Sequence, residues 1–233
     1  MHHTPLMHTN ADRGAARDNV DMYAGVDGCR QGWVALVLPA EDLVEGFTRF
    51  SDLAEHLVAL GVEVVGVDMP IGPPLHGERE CDLAARAFLG PRRSSLFMTP
   101  TAAALAAPTQ GQATAINREH GGKGVSAQAF SLRSKIQEVA QAKTTATVIE
   151  VHPELTFRVL GAPRFSKKSW AGVRERLAIL ESEGLHPLDW VSAGWATTDD
   201  TLDAAAAALS AGRFALGRAR PFPQSADRAR IWA

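Results

Sequence analysis

The hydrophobic positions near the start of the chain follow the pattern of a β-hairpin. Residues 23–27 form a mostly apolar run, residues 28–32 have the composition of a turn, and residues 33–38 form a second apolar run. Residues 43–50 can supply a further strand. The pattern therefore predicts two or three strands in hairpin connection, with Asp27 at the end of the first.

A helix and then a buried strand are predicted next. Ser51 is a suitable N-cap, Gly61 is a suitable stop, and the leucines between them recur on one side of a helix. Residues 62–68 form a mostly apolar run that is typical of a buried parallel strand. This run ends in Asp68, so two candidate core strands each end in an aspartate.

Helical and strand patterns alternate through the rest of the chain. Antiparallel strands followed by parallel strands joined through helices make a mixed α/β sheet with helices on both faces. The expected elements are helices over residues 80–89, around residues 132–139, from residue 170 to near residue 184 and over residues 199–214, with a strand at residues 147–152.

Two segments depart from this pattern. Residues 1–20 are polar and are predicted to be a disordered extension, in which the histidines are solvated rather than metal-binding. Residues 108–124 are polar and glycine-rich without periodicity, and are predicted to be a mobile loop or insertion. Residues 21–233 then constitute a single domain.

Composition and charge restrict the class of protein. Hydrophobic residues make up 45% and charged residues 21%, which excludes a wholly disordered, collagenous or coiled-coil chain. Because the net charge is −2, a nucleic acid would have to be held by a local basic patch or through metal ions. Cys29 and Cys81 lack metal-binding spacing and suit a reducing compartment, so a cytoplasmic protein is expected. No apolar run approaches the ~18 residues of a membrane span, so no membrane partner is expected.

Asp27 and Asp68 are the strongest candidates for chemistry. If their strands are parallel neighbours, ~4.8 Å apart, the two carboxylates converge at one edge of the sheet. Two close carboxylates need a shared proton or a cation, and Mg²⁺ or Mn²⁺ suits hard oxygen ligands. The alternative is that each aspartate caps a turn after its strand.

Further acidic residues are candidates at two later positions. Asp203 lies inside the alanine-rich helix, which can pack close to the sheet, whereas Asp199 and Asp200 are expected to cap the helix N-terminus. Glu150 and His152 share one face of a strand and can bind metal or move a proton, unless that face is simply solvated.

Basic and hydroxyl side chains are candidate phosphate ligands. Residues 92–95 follow a Gly-Pro break and offer guanidinium and hydroxyl donors, although most such side chains lie in water. Lys167 and Lys168 can add to them. Phosphate-loop, dinucleotide-binding, nucleophile-elbow and zinc-finger spacings are missing from the sequence, which disfavours those mechanisms. The predicted substrate-binding residues are Arg92, Arg93, Ser94, Ser95 and Lys135.

A series of short motifs resembles a known family. The motifs GVDGCRQGW, VDMPIG, CDLAAR, LGPRRSSLF, QAFSLRSKIQE, EVHPEL and DDTLDA follow in this order over residues 23–215. Together they resemble domain of unknown function 429, whose members are described as predicted ribonuclease H-like nucleases. The resemblance implies a ribonuclease H-like fold, and the element order above is that of this fold.

The resemblance also implies roles for individual residues. It places metal-binding acids at Asp27, Asp68, Glu150 and Asp203, with His152 and Glu154 at the rim of the site. Thr101 stands where the family often has arginine, which removes one phosphate contact.

The expected function is metal-dependent hydrolysis of a phosphodiester in nucleic acid or in a small molecule. Asp27 would bridge two ions, Asp68 and Asp203 would hold one each, and Glu150 or His152 would orient water. A non-catalytic module that binds nucleic acid, nucleotide or protein is the main alternative. An ATPase of the sugar-kinase type is disfavoured because the chain has room for one copy of the core. A homodimer is expected only by analogy with related folds.

Overall fold

The strands of the computed structural model form one seven-stranded mixed sheet within the described residues, 21–224 and 229–233. The predicted extension at residues 1–20 lies outside this range. The strand order across the sheet is β3-β2-β1-β4-β5-β7-β6. The strands are β1 (Met22–Asp27), β2 (Trp33–Leu38), β3 (Asp42–Phe47), β4 (Val62–Val67), β5 (Thr147–Val151), β6 (Pro221–Phe222) and β7 (Ile231–Trp232).

The first three strands form an antiparallel meander, as predicted for strands in hairpin connection. The strands β1, β4, β5 and β7 form the parallel part of the sheet, and β6 pairs antiparallel with β7 at the edge. β1 pairs antiparallel with β2, and β2 pairs antiparallel with β3. β4 pairs parallel with both β1 and β5, and β5 pairs parallel with β7. β1, which ends in Asp27, and β4, which Asp68 follows, are therefore parallel neighbours, which is the condition under which the two aspartates were expected to converge.

Most helices begin and end close to the positions that the periodicity predicted. One difference is the start of α1, where Arg49 rather than Ser51 occupies the N-cap position. None of the helices among the described residues is long and apolar enough to cross a membrane. The helices are α1 (Phe50–Ala59), α2 (Glu80–Leu89), α3 (Ala102–Leu105), α4 (Gln110–Glu119), α5 (Ala127–Ser131), α6 (Arg133–Gln141), α7 (Pro153–Leu160), α8 (Trp170–Ser182) and α9 (Thr198–Ala215), with 3₁₀ turns at Gly90–Ser95 and Pro187–Asp189.

Helix α9 lies directly on one face of the sheet, across β1, β2 and β4. A Cβ atom added at Gly25 would lie 1.9 Å from the backbone nitrogen of Ala208, and one added at Gly66 would lie 2.6 Å from the carbonyl oxygen of Ala207. The residues of α9 from Ala204 to Ala208 are fully buried. Small residues on both sides therefore let the two backbones approach, as the alanine run predicted.

Helices α1 and α6 cover the opposite face of the sheet. Their buried side chains, including Phe50, Leu53 and Ile136, pack against Trp33 and Val67 of the strands. The Trp33 and Phe50 rings meet edge to face with centroids 5.1 Å apart. The result is a mixed α/β sheet with helices on both faces, the ribonuclease H-like fold class predicted from the sequence.

The segment at residues 108–124, predicted to be a mobile loop or insertion, contains regular structure. It contains α4, which begins where the Thr109 side chain accepts a hydrogen bond from the Gln112 backbone. Asn117 then ties the segment to the domain, because its side chain accepts from the Thr101 backbone at 2.8 Å and donates to the Lys123 carbonyl at 2.7 Å. Capping, the Asn117 side chain and the packing of Ala113 and Ile116 in a small apolar cluster therefore hold a helix in this segment, and its assignment as a mobile loop or insertion stays a prediction.

Helix α7 and strand β7 lie near the cleft and were not predicted from the sequence. Pro153 ends β5 as expected but also occupies the first turn of α7, where proline's missing N–H costs no helical hydrogen bond. At the C-terminus, β7 extends the sheet beside β5, with Ile231 paired to Glu150. A two-residue strand has no detectable period, so only the long-range pairing reveals it.

Candidate active site

A cleft of about 440 Å³ opens at the edge of the sheet where β1, β4 and β5 end. Parallel strands bring their carboxyl ends to the same edge, which is where ligands bind in open α/β sheets. This volume lies in the range of small-ligand sites. The cleft lining includes all five side chains that the sequence singled out for catalysis: Asp27, Asp68, Glu150, His152 and Asp203.

Asp27 and Asp68 meet at the centre of this edge. Asp27 ends β1, is 8% exposed, and accepts a hydrogen bond from the Gly28 backbone at 2.7 Å. The Asp68 backbone donates to the Val26 carbonyl at 2.9 Å, which holds Asp68 alongside the end of β1. Burial raises the pKa of both carboxyls well above the usual value, and the neighbouring acidic side chains raise it further. The pair therefore favours binding a proton or a cation.

Asp203 enters the same cleft from α9. Its side chain is buried, and its Oδ2 accepts a hydrogen bond from the Lys167 ammonium. Its Oδ1 is also buried and has no hydrogen-bond partner among the described residues. Burial raises the Asp203 pKa to about 6, against the opposing effect of Lys167. A buried carboxylate oxygen without a partner is costly, so this atom is suited to a ligand.

Of the other two acids of α9, Asp200 caps the helix as expected, whereas Asp199 forms ion pairs instead of a cap. Asp200 completes a capping box with Thr197, in which each side chain accepts a hydrogen bond from the other's backbone. Asp199 is paired with Lys168 at 2.6 Å and with Lys167 at 3.2 Å. Asp203 is thus distinguished from Asp199 and Asp200 by its burial in the cleft, as its place further along the helix predicted.

Glu150 lies on the opposite face of the sheet from Asp27. Its register partner in β4 is Val67, which packs under α1 and α6, whereas Asp27 pairs with Val34, which packs under α9. Burial raises the Glu150 pKa, and the guanidinium of Arg79, 2.6 and 2.8 Å from its two oxygens, counteracts this. Glu150 is therefore held by an internal partner at the border of the cleft.

Arg79 connects Glu150, at the border of the cleft, to the loop before α2. It is 7% exposed, donates to the Ile71 carbonyl at 3.0 Å and pairs with Asp82 at 2.5 Å. Glu150 also accepts from the Ile71 backbone at 2.7 Å. Nothing in the sequence distinguished Arg79, because a buried arginine and a surface arginine have the same local pattern.

His152 and Glu154 line the cleft next to the 3₁₀ turn. Burial lowers the pKa of His152 to about 4, so the ring is neutral at pH 7. One ring nitrogen lies 3.3 Å from the Ser95 carbonyl. Glu154 is buried and pairs with Arg176 and with Arg92, the latter at 3.0 Å.

Of the predicted phosphate ligands, some are available to bind a ligand and others are already bound to protein groups. Ser95 lines the cleft, and its hydroxyl is buried without a partner among the described residues, while Arg93 and Ser94 are exposed. Arg92 is engaged by Glu154 and by the Phe165 carbonyl at 2.9 Å. Lys135 donates to the Gly32 carbonyl at 2.5 Å and lies 4.2 Å above the Trp33 ring. Arg92 and Lys135 are therefore committed to protein groups.

The donor chemistry of the cleft fits a divalent cation. In the described part of the chain, no three His, Cys, Asp or Glu side chains are arranged as a preassembled metal site. The fit rests instead on two observations, the crowded carboxyls of Asp27 and Asp68 and the partnerless oxygen of Asp203. Carboxylate oxygens are the ligands that Mg²⁺ and Mn²⁺ prefer.

Comparison with known proteins identifies a family. No curated protein and no solved structure was found to match the chain. A family profile described as "Protein of unknown function (DUF429)" matches residues 25–228, a range that contains Asp27, Asp68, Glu150 and Asp203. The match covers most of the chain and all the acids of the cleft, and the protein therefore belongs to the DUF429 family.

Proposed function

We propose that the cleft is the active site of a metal-dependent hydrolase that cleaves phosphodiester bonds. The observation that carries this proposal is the convergence of Asp27, Asp68 and Asp203 in one cleft, with the Asp203 Oδ1 atom buried and without a partner. Asp27 and Asp203 are buried and Asp68 is partly buried, and carboxylates this close repel one another unless cations neutralise them; Lys167 alone supplies one positive charge for the three. A phosphodiester substrate is also negatively charged. A divalent ion bound in the cleft would therefore neutralise both the carboxylates and the phosphate.

The residues of the chain have distinct parts in this proposal. Asp27, Asp68 and Asp203 would hold Mg²⁺ or Mn²⁺, and the bound metal would neutralise phosphate charge and acidify a water molecule. The Gly28 backbone fixes the Asp27 carboxylate by its 2.7 Å hydrogen bond. Because its pKa is about 4, His152 acts at pH 7 as a neutral hydrogen-bonding group and not as a charged one. Glu150, held by Arg79, supports the loop that contains Ile71.

The segment that carries Lys167 and Lys168, which line the cleft, supports nucleic acid as the substrate. Its aromatic residues Phe165 and Trp170 are 48% and 73% exposed. Exposed aromatic rings stack on bases, and cations such as the exposed Lys168 attract phosphate groups. This local arrangement compensates for a net charge of −2. Small phosphodiesters remain substrates of the same chemistry.

Titration of Mn²⁺ by calorimetry tests the metal site. The wild-type protein is expected to bind Mn²⁺, and Asp27→Asn is expected to lose binding because the amide carries no charge. Asp42→Asn, which changes an exposed aspartate of β3, is the control and is expected to bind as the wild type does. Circular dichroism establishes that each variant is folded.

Cleavage assays with Mn²⁺ then test the reaction. Single-stranded DNA, RNA and bis(p-nitrophenyl) phosphate are the substrates, and Asp27→Asn is expected to lose about 10²-fold or more in rate, the scale of removing one electrostatic group from an active site. Full cleavage by a pure, folded Asp27→Asn preparation would contradict the proposal.

A non-catalytic binding module is the second candidate, and the internal ion pairs favour it. Lys167 already neutralises Asp203, and Arg79 already neutralises Glu150. Such a module would bind a nucleic acid, a nucleotide or a protein without metal. Nucleic-acid binding in a chelator, with neither Mn²⁺ uptake nor cleavage, would favour it over the hydrolase.

A further inference from the structure

We infer that Lys167 is an internal counter-ion of the cleft, whose ammonium a divalent cation must displace from Asp203. This inference rests on the proposed function, since it concerns access to the same carboxylates. It adds a property that the hydrolase proposal alone does not contain, which is that the chain weakens its own metal binding.

The contacts of Lys167 place its charge among the acids. Its Nζ donates to Asp203 Oδ2 and lies 3.2 Å from Asp199 Oδ2. The side chain is 27% exposed and lines the cleft. The Lys167 ammonium therefore lies in direct contact with Asp203, one of the proposed metal ligands.

Lys167 and a metal ion compete for one carboxylate group. In the metal-free chain, Oδ2 of Asp203 is taken by Lys167, while Oδ1 is buried without a partner. A divalent ion that binds Asp203 would approach the ammonium closely, and two cations in a partly buried site repel each other. The two binding events are therefore coupled, and each weakens the other by the same factor.

The backbone around Lys167 is held in place, so its displacement requires only a side-chain rotation. The Ser166 carbonyl accepts a hydrogen bond from the Ser169 hydroxyl at 2.8 Å, and a Cβ atom at Gly172 would lie 1.9 Å from that carbonyl. The Phe165 carbonyl is held by Arg92 at 2.9 Å. Because these contacts hold the backbone, the long side chain of Lys167 can rotate away from Asp203 without rearrangement of the site.

Lys168 provides a matched comparison. It is the next residue, carries the same charge and contacts Asp199 at 2.6 Å, but its side chain is 75% exposed and its ion pair does not include Asp203. Exposed ion pairs of this kind contribute little. Removal of Lys168 changes the charge of the cleft by the same amount as removal of Lys167, yet leaves the contact with Asp203 intact.

The first test is Mn²⁺ titration by calorimetry of wild type, Lys167→Met and Lys168→Met. Lys167→Met is expected to bind Mn²⁺ about 5-fold to 150-fold more tightly than wild type, the usual range for coupled sites. Lys168→Met is expected to stay within about 2-fold, as for loss of an exposed pair. Unchanged or weaker binding by Lys167→Met, or equal tightening by Lys168→Met, would overturn the inference.

The second test uses the wild-type chain and so does not depend on the folding of a variant. Lysines are acylated with an amine-reactive reagent with and without Mg²⁺, and the modified positions are mapped by mass spectrometry. The reactivity of Lys167 is expected to rise several-fold with Mg²⁺, because its amine is released from the ion pair, while that of Lys168 stays constant. No rise at Lys167 with saturating Mg²⁺ would contradict displacement.

The outcomes separate this inference from the proposed function. Wild-type binding that is lost in Asp27→Asn but unchanged in Lys167→Met would leave the metal site standing and overturn the role of Lys167. Binding by Lys167→Met alone would support the inference. Absence of Mn²⁺ binding in every variant would overturn both.

Discussion

Buried charges in this protein fall into two groups that differ in how they are neutralised. Glu150 is held by Arg79, and Glu154 is held by Arg92 and Arg176. Asp27 and Asp68, in contrast, lie beside other acids. Burial of a charge is costly unless it is paired. The paired glutamates are therefore compatible with a stable fold, whereas the crowded aspartates lower its stability.

Asp27 is expected to make the metal-free protein less stable as the pH rises. Because the folded-state pKa of Asp27 is raised above its unfolded value, the folded state holds the proton more tightly, and stability falls as pH rises from the unfolded pKa through the folded pKa. Asp27→Asn removes this loss of stability at high pH, and the asparagine side-chain oxygen can still accept the hydrogen bond from the Gly28 backbone. The variant should therefore be more stable than wild type at pH 8, with a smaller difference at pH 4.

Urea unfolding in a chelator at both pH values measures this effect. Asp42→Asn, on the exposed side of β3, is the control and should follow the wild type. A lower stability of Asp27→Asn at pH 8 would show that Asp27 stabilises the fold, and would count against a crowded acidic site.

Arg79 is expected to be essential to the fold. Arg79→Met leaves Glu150 and Asp82 buried without their cation, and loss of one partner from a buried pair costs about 3–5 kcal/mol. Urea unfolding at pH 7 measures this loss. Arg174→Met, at an exposed position of α8, is the control and should change the free energy of unfolding by less than about 0.5 kcal/mol. A loss below about 1 kcal/mol in Arg79→Met would show that the network relaxes around the missing charge.

Among the elements, the contact between α9 and the sheet determines where Asp203 lies. The alanines of α9 and the glycines of β1 and β4 bring the helix backbone against the strands. A short aspartate side chain can then reach the strand ends at Asp27 and Asp68. With larger residues at this interface, Asp203 would be displaced from the cleft.

Gly25→Ala tests this close approach. The added methyl group would lie 1.9 Å from Ala208 and 2.1 Å from Ala204 backbone atoms, which cannot move without shifting the helix. A loss of about 3 kcal/mol or more in the free energy of unfolding is expected, at or beyond the upper end for overpacked cores. Gly111→Ala, in α4 with no atom within 4 Å of the added methyl, is expected to be neutral or slightly stabilising. Equal stability of Gly25→Ala and Gly111→Ala would contradict the close packing of α9.

For the whole molecule, the cleft depends on chain regions that are far apart in sequence. Residues 27, 68, 150–154 and 203 meet only because β1, β4 and β5 are neighbours and α9 returns across them. The C-terminal strand β7 borders β5 on its other side, where Ile231 is paired with Glu150. The last residues of the chain therefore support the strand that contributes Glu150.

Ile231→Ala is expected to destabilise the whole sheet edge. Ile231 is 2% exposed and packs with the α2 and α7 side chains, and its truncation to alanine costs about 2–5 kcal/mol in a buried site. Thermal unfolding measures the loss. Val191→Ala, at a side chain that is 73% exposed, is the control and should be close to neutral. Wild-type stability of Ile231→Ala would mean that β7 contributes little to the sheet.

Local patterns in the chain predict the central part of this architecture and of the candidate site. The apolar runs that end in Asp27 and Asp68, and the alanines that follow Asp203, are visible without any structure. They are predictable because strand burial and helix packing impose short periods on neighbouring residues. The metal and the phosphodiester substrate stay predictions that rest on the same acids.

The remaining features depend on contacts between distant residues, which no local period records. Arg79 and Glu150 are 71 positions apart, and Lys167 and Asp203 are 36 apart. Helix α4 is anchored by the hydrogen bonds of Asn117 to Thr101 and Lys123 in addition to a small apolar cluster around Ala113. Tertiary structure alone decides which buried charges have partners, because neutralisation requires atoms within a few ångströms whatever their separation along the chain.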